Sequence, residues 1–484
     1  MARISVSLNV LSDGFLGAAP RWYKLAVLLA LVLNPVLFFT FGAYFTGWVL
    51  LAEFLGVLAM ALACYPLAPG GLLAIEAVLL GLSTPAAVYN ETVKNFPVLL
   101  LLMFMVAGIY FLRDLIATAF LALIGMLDKR IWLALTFLVA AAVMSAFLDA
   151  LTVMAVLITV SYGLYQALAL RLEQLPDEDR EGFKRWLGSL VMHAAIGTAL
   201  GGVITLVGEP QNLIIGKALG WNFGEFFLHM APVSLPVLGG GILVCLLLER
   251  FHWFGFGVEL PPSVRRALGE MRAAEPPPDS GVRVRRWAQG VIAVLLVLSL
   301  AFHVAEIGLV GLAVIVLGGA FAGAYEEHDY APAFEEALPF AALLVVFFAI
   351  VSVIESQHLF TPITHAVLAV RAPLLAPVFY LVNGLLSAVS DNVFVASIFL
   401  GQAEAALREG LISPLTFQHM AVAINAGTNI PSISTPNGQA AFLFLLSSPL
   451  APLLRLSYGR MLWMALPYAL VLTLIGLGAV WLLG

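Results

Sequence analysis

Apolar runs long enough to cross a lipid bilayer recur along the whole chain, and they restrict what it can fold into more than any other feature. They lie at 25–44, 48–64, 97–112, 291–304, 340–354 and 462–483. A spanning helix needs about 20 mostly apolar residues, somewhat fewer where end residues snorkel. Hydrocarbon leaves no partner for a bare backbone amide, so only helices or closed barrels can span it. The period-2 alternation of a barrel is absent, which leaves an all-α integral membrane protein. Composition agrees: 62 % of residues are hydrophobic and 11 % charged, against about 25 % charged in a soluble domain. No apolar core ending in a small-residue cleavage pattern precedes Trp22, so no cleaved signal peptide is expected. Cys64 and Cys245 lie far apart in apolar runs and form no CxxC, so both read as packing residues.

Two polar interruptions divide the chain. One covers 171–185 and reads as a long loop. The other, at 255–287, carries the proline pair 261–262, the three prolines 276–278 and a basic cluster. It reads as a cytoplasmic linker with a short surface helix capped by Ser263. The expected plan is a first transmembrane segment in 1–46, a first repeat in 47–254, the linker, and a second repeat in 288–484. Four matches in the same order support the repetition. Pro97 and Pro339 each head an apolar run, 242 positions apart. Ser145-Ala146 with Asp149 matches Ser387-Ala388 with Asp391 at the same offset. Gly197-Thr198 followed by Glu209-Pro210-Gln211-Asn212 matches Gly427-Thr428 followed by Thr435-Pro436-Asn437-Gly438. Met230-Ala231-Pro232 echoes Met464-Ala465-Leu466-Pro467. Internal repetition is the usual construction of secondary transporters, with the site where the repeats meet.

Charge sets the expected topology. With a cytoplasmic N-terminus, an extra first helix, and five crossings plus one re-entrant hairpin per half, 19 of the 23 Lys and Arg residues fall inside. Only Lys94, Lys217, Arg371 and Arg408 do not. That bias follows the positive-inside rule, and five crossings per half make the repeats inverted.

The chemistry lies in the apolar segments. Asp149 sits in MSAFLDALTVMAVL and Asp391 in LSAVSDNVFVASIF, with no adjacent base. A carboxylate at bilayer depth costs about 2.5–3.5 kcal/mol on insertion scales, and such groups usually face an aqueous pathway. One carboxylate that holds either a proton or a Na⁺ ion is the minimal device for exchange, so Na⁺ is expected at Asp149 and Asp391. Gly208, Pro210, Pro436 and Gly438 break otherwise helical segments, and freed carbonyls there can coordinate a cation. Asn212, Asn392, Thr435 and Asn437 add neutral oxygens. Glu209 is a third titrating group or the rim of a vestibule, with Thr435 in its place in the second half. Glu53 and Glu306 are weaker candidates, and His193 is the one histidine worth testing. None of the eight His has metal-ligand spacing. No Walker A, HExxH or GxSxG motif appears, so neither ATP drive, enzyme activity nor a cofactor is expected. Nothing suggests a nucleic-acid partner.

The segments SAFLDALT, GTALGGVITLVGEPQNLIIGKA, SAVSDNVF, NAGTNIPSISTPNGQAAFLFLL and LSYGRMLWMALPYALVLTL resemble the NhaB-type Na⁺/H⁺ antiporters of Gram-negative bacteria. The likeness runs from PRWYKLAVLL to the end of the chain. It implies a bacterial inner-membrane transporter exporting Na⁺, and possibly Li⁺, for protons, electrogenic and working by an elevator-type movement. It also implies a homodimer, two re-entrant hairpins holding Asp149 and Asp391, and two broken helices at 208–212 and 435–438. The dicarboxylate carriers of the same superfamily present Ser-Asn-Thr at each hairpin tip. Here the tips read Leu148-Asp149-Ala150 and Ser390-Asp391-Asn392, and an acidic side chain there would repel a carboxylate substrate. A small-anion symporter or exporter of that superfamily is the alternative, and a channel or receptor without coupled transport is the other class.

Overall fold

The computed structural model describes residues 14–126, 129–172, 175–274, 279–322, 326–362 and 372–483. Arg3, Arg371 and the prolines at 276–278 lie outside this set. The described residues are helical and contain no strand. Six helices are long and apolar enough to cross a membrane, and a seventh if the pair Pro85–Lys94 and Phe96–Tyr110, bent by 65°, counts as one span. The chain is a membrane protein built from helices. It forms two compact units. Met1–Phe96 joins Pro339–Ala369 in the first, and Pro97–Leu338 joins Val370–Gly484 in the second. The chain passes between units at Pro97 and Pro339, the two prolines that match in the sequence. Each unit thus takes residues from both halves of the chain.

In the first unit, α1 (Arg21–Ala59) contains the first apolar run and most of the second. As one straight helix its 39 residues would measure about 58 Å, nearly twice the hydrocarbon thickness of about 30 Å. It is instead two arms joined at Gly42, whose φ of 84° and ψ of 174° suit only glycine. The arms fold back on each other: Asn34 Nδ2 donates to Glu53 Oε2 at 2.8 Å across 19 positions, and Tyr23 and Val27 pack with Met60 and Cys64. Next come α2 (Leu67–Leu79) and α3 (Pro85–Lys94). The Thr84 side chain caps α3 by accepting from Ala87 N, and Pro85 stands at the first helical position. The returning segment packs Phe347 edge-on against Phe54, with ring centroids 5.9 Å apart. The Ser83 and Ser352 hydroxyls meet at 2.8 Å.

The second unit opens with α4 (Phe96–Tyr110), whose middle turn, Leu101–Met105, is π-helical. There follow α5 (Arg113–Met126), α6 (Arg130–Ser145), α7 (Ala150–Leu172), α8 (Asp177–Gly202), α9 (Pro210–Leu219), α10 (Phe223–Phe251), α11 (Pro262–Ala274), α12 (Ser280–Ala301) and α13 (Ile307–Ala322). The unit crossing is made within α14 (Glu327–Ser356). Beyond it lie α15 (Ala372–Ser387), α16 (Asn392–Arg408), α17 (Pro414–Asn429), a 3₁₀ turn at Pro431–Ser434, α18 (Ala440–Ser447) and, last, α19 (Tyr458–Leu483).

Two sequence expectations change here. The interruption at 171–185 is mostly helix: α7 reaches Leu172 and α8 starts at Asp177. Asp177, Glu178 and Asp179 occupy the first turn of α8, where the helix dipole favours negative charge. Lys184 pairs with Glu181 at 2.9 Å, three residues away, and Arg180 pairs with Asp177. High polarity here marks a solvated helix end rather than a loop. The surface helix α11 does form, but it begins at Pro262. Ser263 is therefore inside its first turn, and its hydroxyl donates to Asp179 Oδ2 at 2.6 Å instead of capping.

Helices α6 and α8 touch backbone to backbone. A Cβ on Gly197 would lie 2.2 Å from Leu138 O, and one on Gly201 1.8 Å from Ala142 O. Small residues four apart permit this approach where no hydrophobic drive exists between helices in lipid. The pair α15–α17 repeats it, with a Cβ on Gly427 at 2.5 Å from Tyr380 O. Leu138 and Tyr380 are 242 positions apart, Gly197 and Gly427 are 230 apart.

Candidate functional site

Asp149 is the last residue of a four-residue connection between α6 and α7, and Asp391 holds the same place between α15 and α16. Each accepts from the helix it introduces. Asp149 Oδ2 takes Leu151 N at 3.0 Å and Thr152 N at 3.4 Å. Asp391 Oδ1 takes Val393 N at 2.8 Å and Phe394 N at 3.2 Å. Both are N-caps of apolar helices, where a carboxylate satisfies amides that have no helical partner. Asp149 is buried and Asp391 half-buried.

The helix breaks are built alike. Helix α8 ends at Gly202 and α9 starts at Pro210, with Glu209 extended at its N-cap (φ −147°, ψ 143°). In the second half, α17 and the 3₁₀ turn end at Ser434 and α18 starts at Ala440, with Gln439 extended at its N-cap (φ −132°, ψ 119°). The Thr205 hydroxyl donates to Ala146 O, and the Thr435 hydroxyl donates to Ala388 O. A Cβ on Gly208 would lie 2.5 Å from Gly202 O and 2.8 Å from Ser145 O. On Gly438 it would lie 2.4 Å from Ser432 O and 2.9 Å from Ser387 O. Each break is thus clamped against one aspartate-bearing connection by a threonine and a glycine.

This geometry shifts the sequence alignment of the breaks by one helical turn. Thr205 corresponds to Thr435 and Gly208 to Gly438, a constant offset of 230. The counterpart of Glu209 is therefore Gln439, not Thr435. The prolines misled the sequence pairing. Pro210 is simply the first residue of α9, where a missing N–H costs nothing, while Pro436 lies within the second break. Gln439 is buried and donates through Nε2 to Asn429 O at 2.7 Å and Ser432 Oγ at 2.9 Å.

The two halves meet here. Gln211 Nε2 donates to Asn429 Oδ1 at 3.0 Å. Asn212 Nδ2 closes its own break by donating to Gly202 O and Thr205 O at 2.7 and 2.6 Å. The Asn392 amide, oriented to satisfy its neighbours, donates to Gly438 O and Thr428 O at 3.0 Å each. Asn437 is half-buried within its break. Glu209 is buried and lies close enough to Asp149 and Asp391 to feel both charges. Among the described residues its carboxylate accepts no hydrogen bond, and no basic side chain acts on it. Glu209 thus shares one apolar unit with two further carboxylates, and buried negative charge is expensive unless something positive offsets it. Bound protons or cations would remove that cost.

Neutral oxygens surround them. Ser145 Oγ, Thr152 Oγ1, Gln211 Oε1, Asn212 Oδ1 and Ser387 Oγ are all buried without a hydrogen-bond partner among the described residues. In a protein interior nearly every such atom is satisfied, so their concentration at the two breaks fits hard-cation ligation. Of these five, only Asn212 was a site candidate from sequence. Ser145 and Ser387 served there only to mark the repeat. Their sequence signal was the matched Ser-Ala before each aspartate.

The remaining candidates lie elsewhere. Glu306 is exposed just before α13. His193 is fully buried between Tyr468, whose hydroxyl is 2.8 Å from Nδ1, and Glu249, whose Oε1 is 3.0 Å from Nε2. Glu249 also accepts from Gly257 N at 3.1 Å and pairs with Arg130 at 3.8 Å. This hub ties α6, α8, α10 and α19 together. Cys245 lies 4.0 Å from His193 Nε2, and both cysteines are free thiols.

Comparison with known proteins agrees with these features. The family model described as bacterial Na⁺/H⁺ antiporter B (NhaB) matches residues 3–483. The Na⁺/H⁺ antiporter NhaB of Klebsiella pneumoniae subsp. pneumoniae is 55 % identical over 482 residues, covering 96 % of this chain and 93 % of its own. Those of Marinomonas sp. and Pseudomonas putida are 52 % and 53 % identical, covering 97 % and 98 % of both chains in each pair. The chain belongs to the NhaB family.

Proposed function

We propose that this chain is a secondary antiporter that exports Na⁺ in exchange for protons. The observation that carries this reading is the convergence of Glu209 with Asp149 and Asp391 at two helix breaks lined by partnerless buried oxygens. Each carboxylate binds a proton or helps to bind Na⁺. The neutral oxygens of Ser145, Thr152, Gln211, Asn212 and Ser387 replace part of the ion's hydration shell. Asn392, Thr435 and Asn437 shape the second break, Gly208, Pro436 and Gly438 keep the helices open, and Pro210 only starts α9 at the edge of the first break. The site lies within one compact unit, which suits an elevator-type step in which that unit carries the ion. The printed names of the relatives, Na⁺/H⁺ antiporters over nearly their whole length, support the same exchange. Electrogenic exchange, Li⁺ as a second cargo, a homodimer, inverted repeats with re-entrant hairpins, and an inner-membrane location with the N-terminus inside complete the proposal.

Everted vesicles with a preformed pH gradient and a pH-sensitive dye test it. Adding Na⁺ collapses the gradient if exchange occurs. A small-anion carrier or an uncoupled channel gives no Na⁺-dependent dequenching, and that result would refute the proposal.

A further inference from the structure

The first unit has an acidic pair that the proposed transport site does not use. The two arms of α1 bring Asn34 against Glu53, and α2 brings Glu76 to the same place. One amide nitrogen, Asn34 Nδ2, donates to Glu53 Oε2 at 2.8 Å and to Glu76 Oε2 at 2.9 Å. Asn34 is 0 % exposed and Glu76 9 %, while Glu53 is half-buried. Among the described residues no basic side chain is paired with either carboxylate: the polar neighbour acting on Glu53 is Asn34, and those acting on Glu76 are Asn34 and Glu53.

Two carboxylates bridged by one neutral amide leave net negative charge in an apolar surrounding, which is stable only when something positive offsets it. Two further features point to a cation. Asn34 Oδ1 is buried and has no hydrogen-bond partner. A turn of the amide would put this oxygen between the carboxylates, where only a cation or a proton could hold it. The next residue is Pro35, inside the helix. It supplies no N–H to the carbonyl of Leu31 one turn back, which frees a backbone oxygen near Asn34. Carboxylate, amide and freed carbonyl oxygens are the donor set of a hard monovalent cation.

We propose that Asn34, Glu53 and Glu76 form a second cation site, in the first unit, at which Na⁺ competes with a shared proton. Glu53, the least buried of the three, gives the ion its entry. Because both carboxylates face one amide, they titrate as a pair rather than singly. Ion binding there draws the two arms of α1 and helix α2 together, so the site stabilises the unit whether or not the transport site is loaded.

The test uses full-length protein in detergent, carrying Asp149→Asn and Asp391→Asn to remove Na⁺ binding at the transport site. Thermal unfolding is followed by intrinsic fluorescence against NaCl, with choline chloride as the ionic-strength control. The expected result is a saturable rise in Tm with Na⁺. The half-effective concentration should increase about tenfold for each pH unit lowered in the acidic range, where one proton competes. Adding Glu53→Gln or, separately, Glu76→Gln should abolish the Na⁺ response. The two variants give independent readings if one fails to accumulate, and Asn34→Ala, which keeps both carboxylates, should weaken the response without removing it. No Na⁺-specific rise, or one that survives both glutamine variants, overturns the proposal. Stabilisation by acid alone, insensitive to Na⁺, overturns it as well, since the pair would then hold only a proton.

Discussion

Asp149 and Asp391 each cap a helix and, in the proposed function, hold a proton or Na⁺ with the same side chain, which makes their substitution informative. Each caps a helix through one carboxylate oxygen. Asparagine is as good an N-cap as aspartate, so Asp149→Asn keeps the cap and the shape while removing the charge. Na⁺-dependent dequenching in vesicles should fall to background although the protein still inserts. Normal exchange in that variant would remove Asp149 from the site. Ser387→Ala tests a subtler ligand. It deletes a buried hydroxyl with no hydrogen-bond partner, so the fold should lose little. A lost oxygen ligand worth about 1 kcal/mol would raise the half-saturating Na⁺ concentration roughly fivefold. An unchanged value would mean that Ser387 only fills space. Sequence made the charged residues legible because a carboxylate in an apolar run has no bland explanation. It hid Ser145, Ser387, Thr152 and Gln211, since a serine or glutamine in a helix is ordinary until its surroundings show that nothing satisfies it. It also paired Glu209 with Thr435, because Pro-Asn and Pro-Gln-Asn look alike in text, whereas the clamp of threonine and glycine sets the true register.

Among elements, the breaks are held open by close backbone contact more than by proline. Gly208→Ala would place a methyl group 2.5 Å from Gly202 O, an overpacking that costs about 1–3 kcal/mol. Pro210→Ala changes the first residue of α9, where any residue fits, and should cost within about 0.5 kcal/mol. Gly208→Ala should therefore lower Tm and abolish exchange while Pro210→Ala transports nearly normally. Equal damage from both would return the break to the proline. The Glu249 hub makes a separate claim. Glu249→Leu leaves Arg130 and His193 without their buried partner, a loss of about 3–5 kcal/mol. Its Tm should drop by more than that of any single transport-site variant. Sequence foresaw the spans and both breaks, since apolar length and Gly/Pro placement are local signals. It missed the helical stretch at 177–185, where surface charge stabilises a helix end, and it separated the first two apolar runs at 44–48 where the chain turns at Gly42, a position that depends on a single backbone angle. It also missed the mixing of the two halves into each unit, because contacts between distant segments leave no local mark.

At the scale of the whole molecule, the three carboxylates of the proposed transport site should make Na⁺ binding and proton binding one process. Glu209 feels the charges of Asp149 and Asp391, so under this proposal protons come off in macroscopic steps that belong to the set, not to any one residue. Na⁺ binds best when the carboxylates it needs are ionised. As pH falls, each must lose a proton before Na⁺ can enter, so Na⁺ affinity weakens with acidity. If one proton leaves per Na⁺ bound, the half-saturating Na⁺ concentration rises about tenfold per pH unit, the equivalent of 1.36 kcal/mol. If two leave, it rises about a hundredfold. At alkaline pH the carboxylates are already ionised and the curve should level off. Half-saturation measured in proteoliposomes across a pH series reads both the slope and the plateau. Glu209→Gln removes one member of the set and should flatten the acidic slope or move the plateau to lower pH, while Gln439→Glu adds a fourth acid at the matching break and should do the reverse. A half-saturation that ignores pH while only the maximal rate changes would show that protons and Na⁺ travel by separate routes. The shared-carboxylate mechanism would then be wrong even if exchange itself were real.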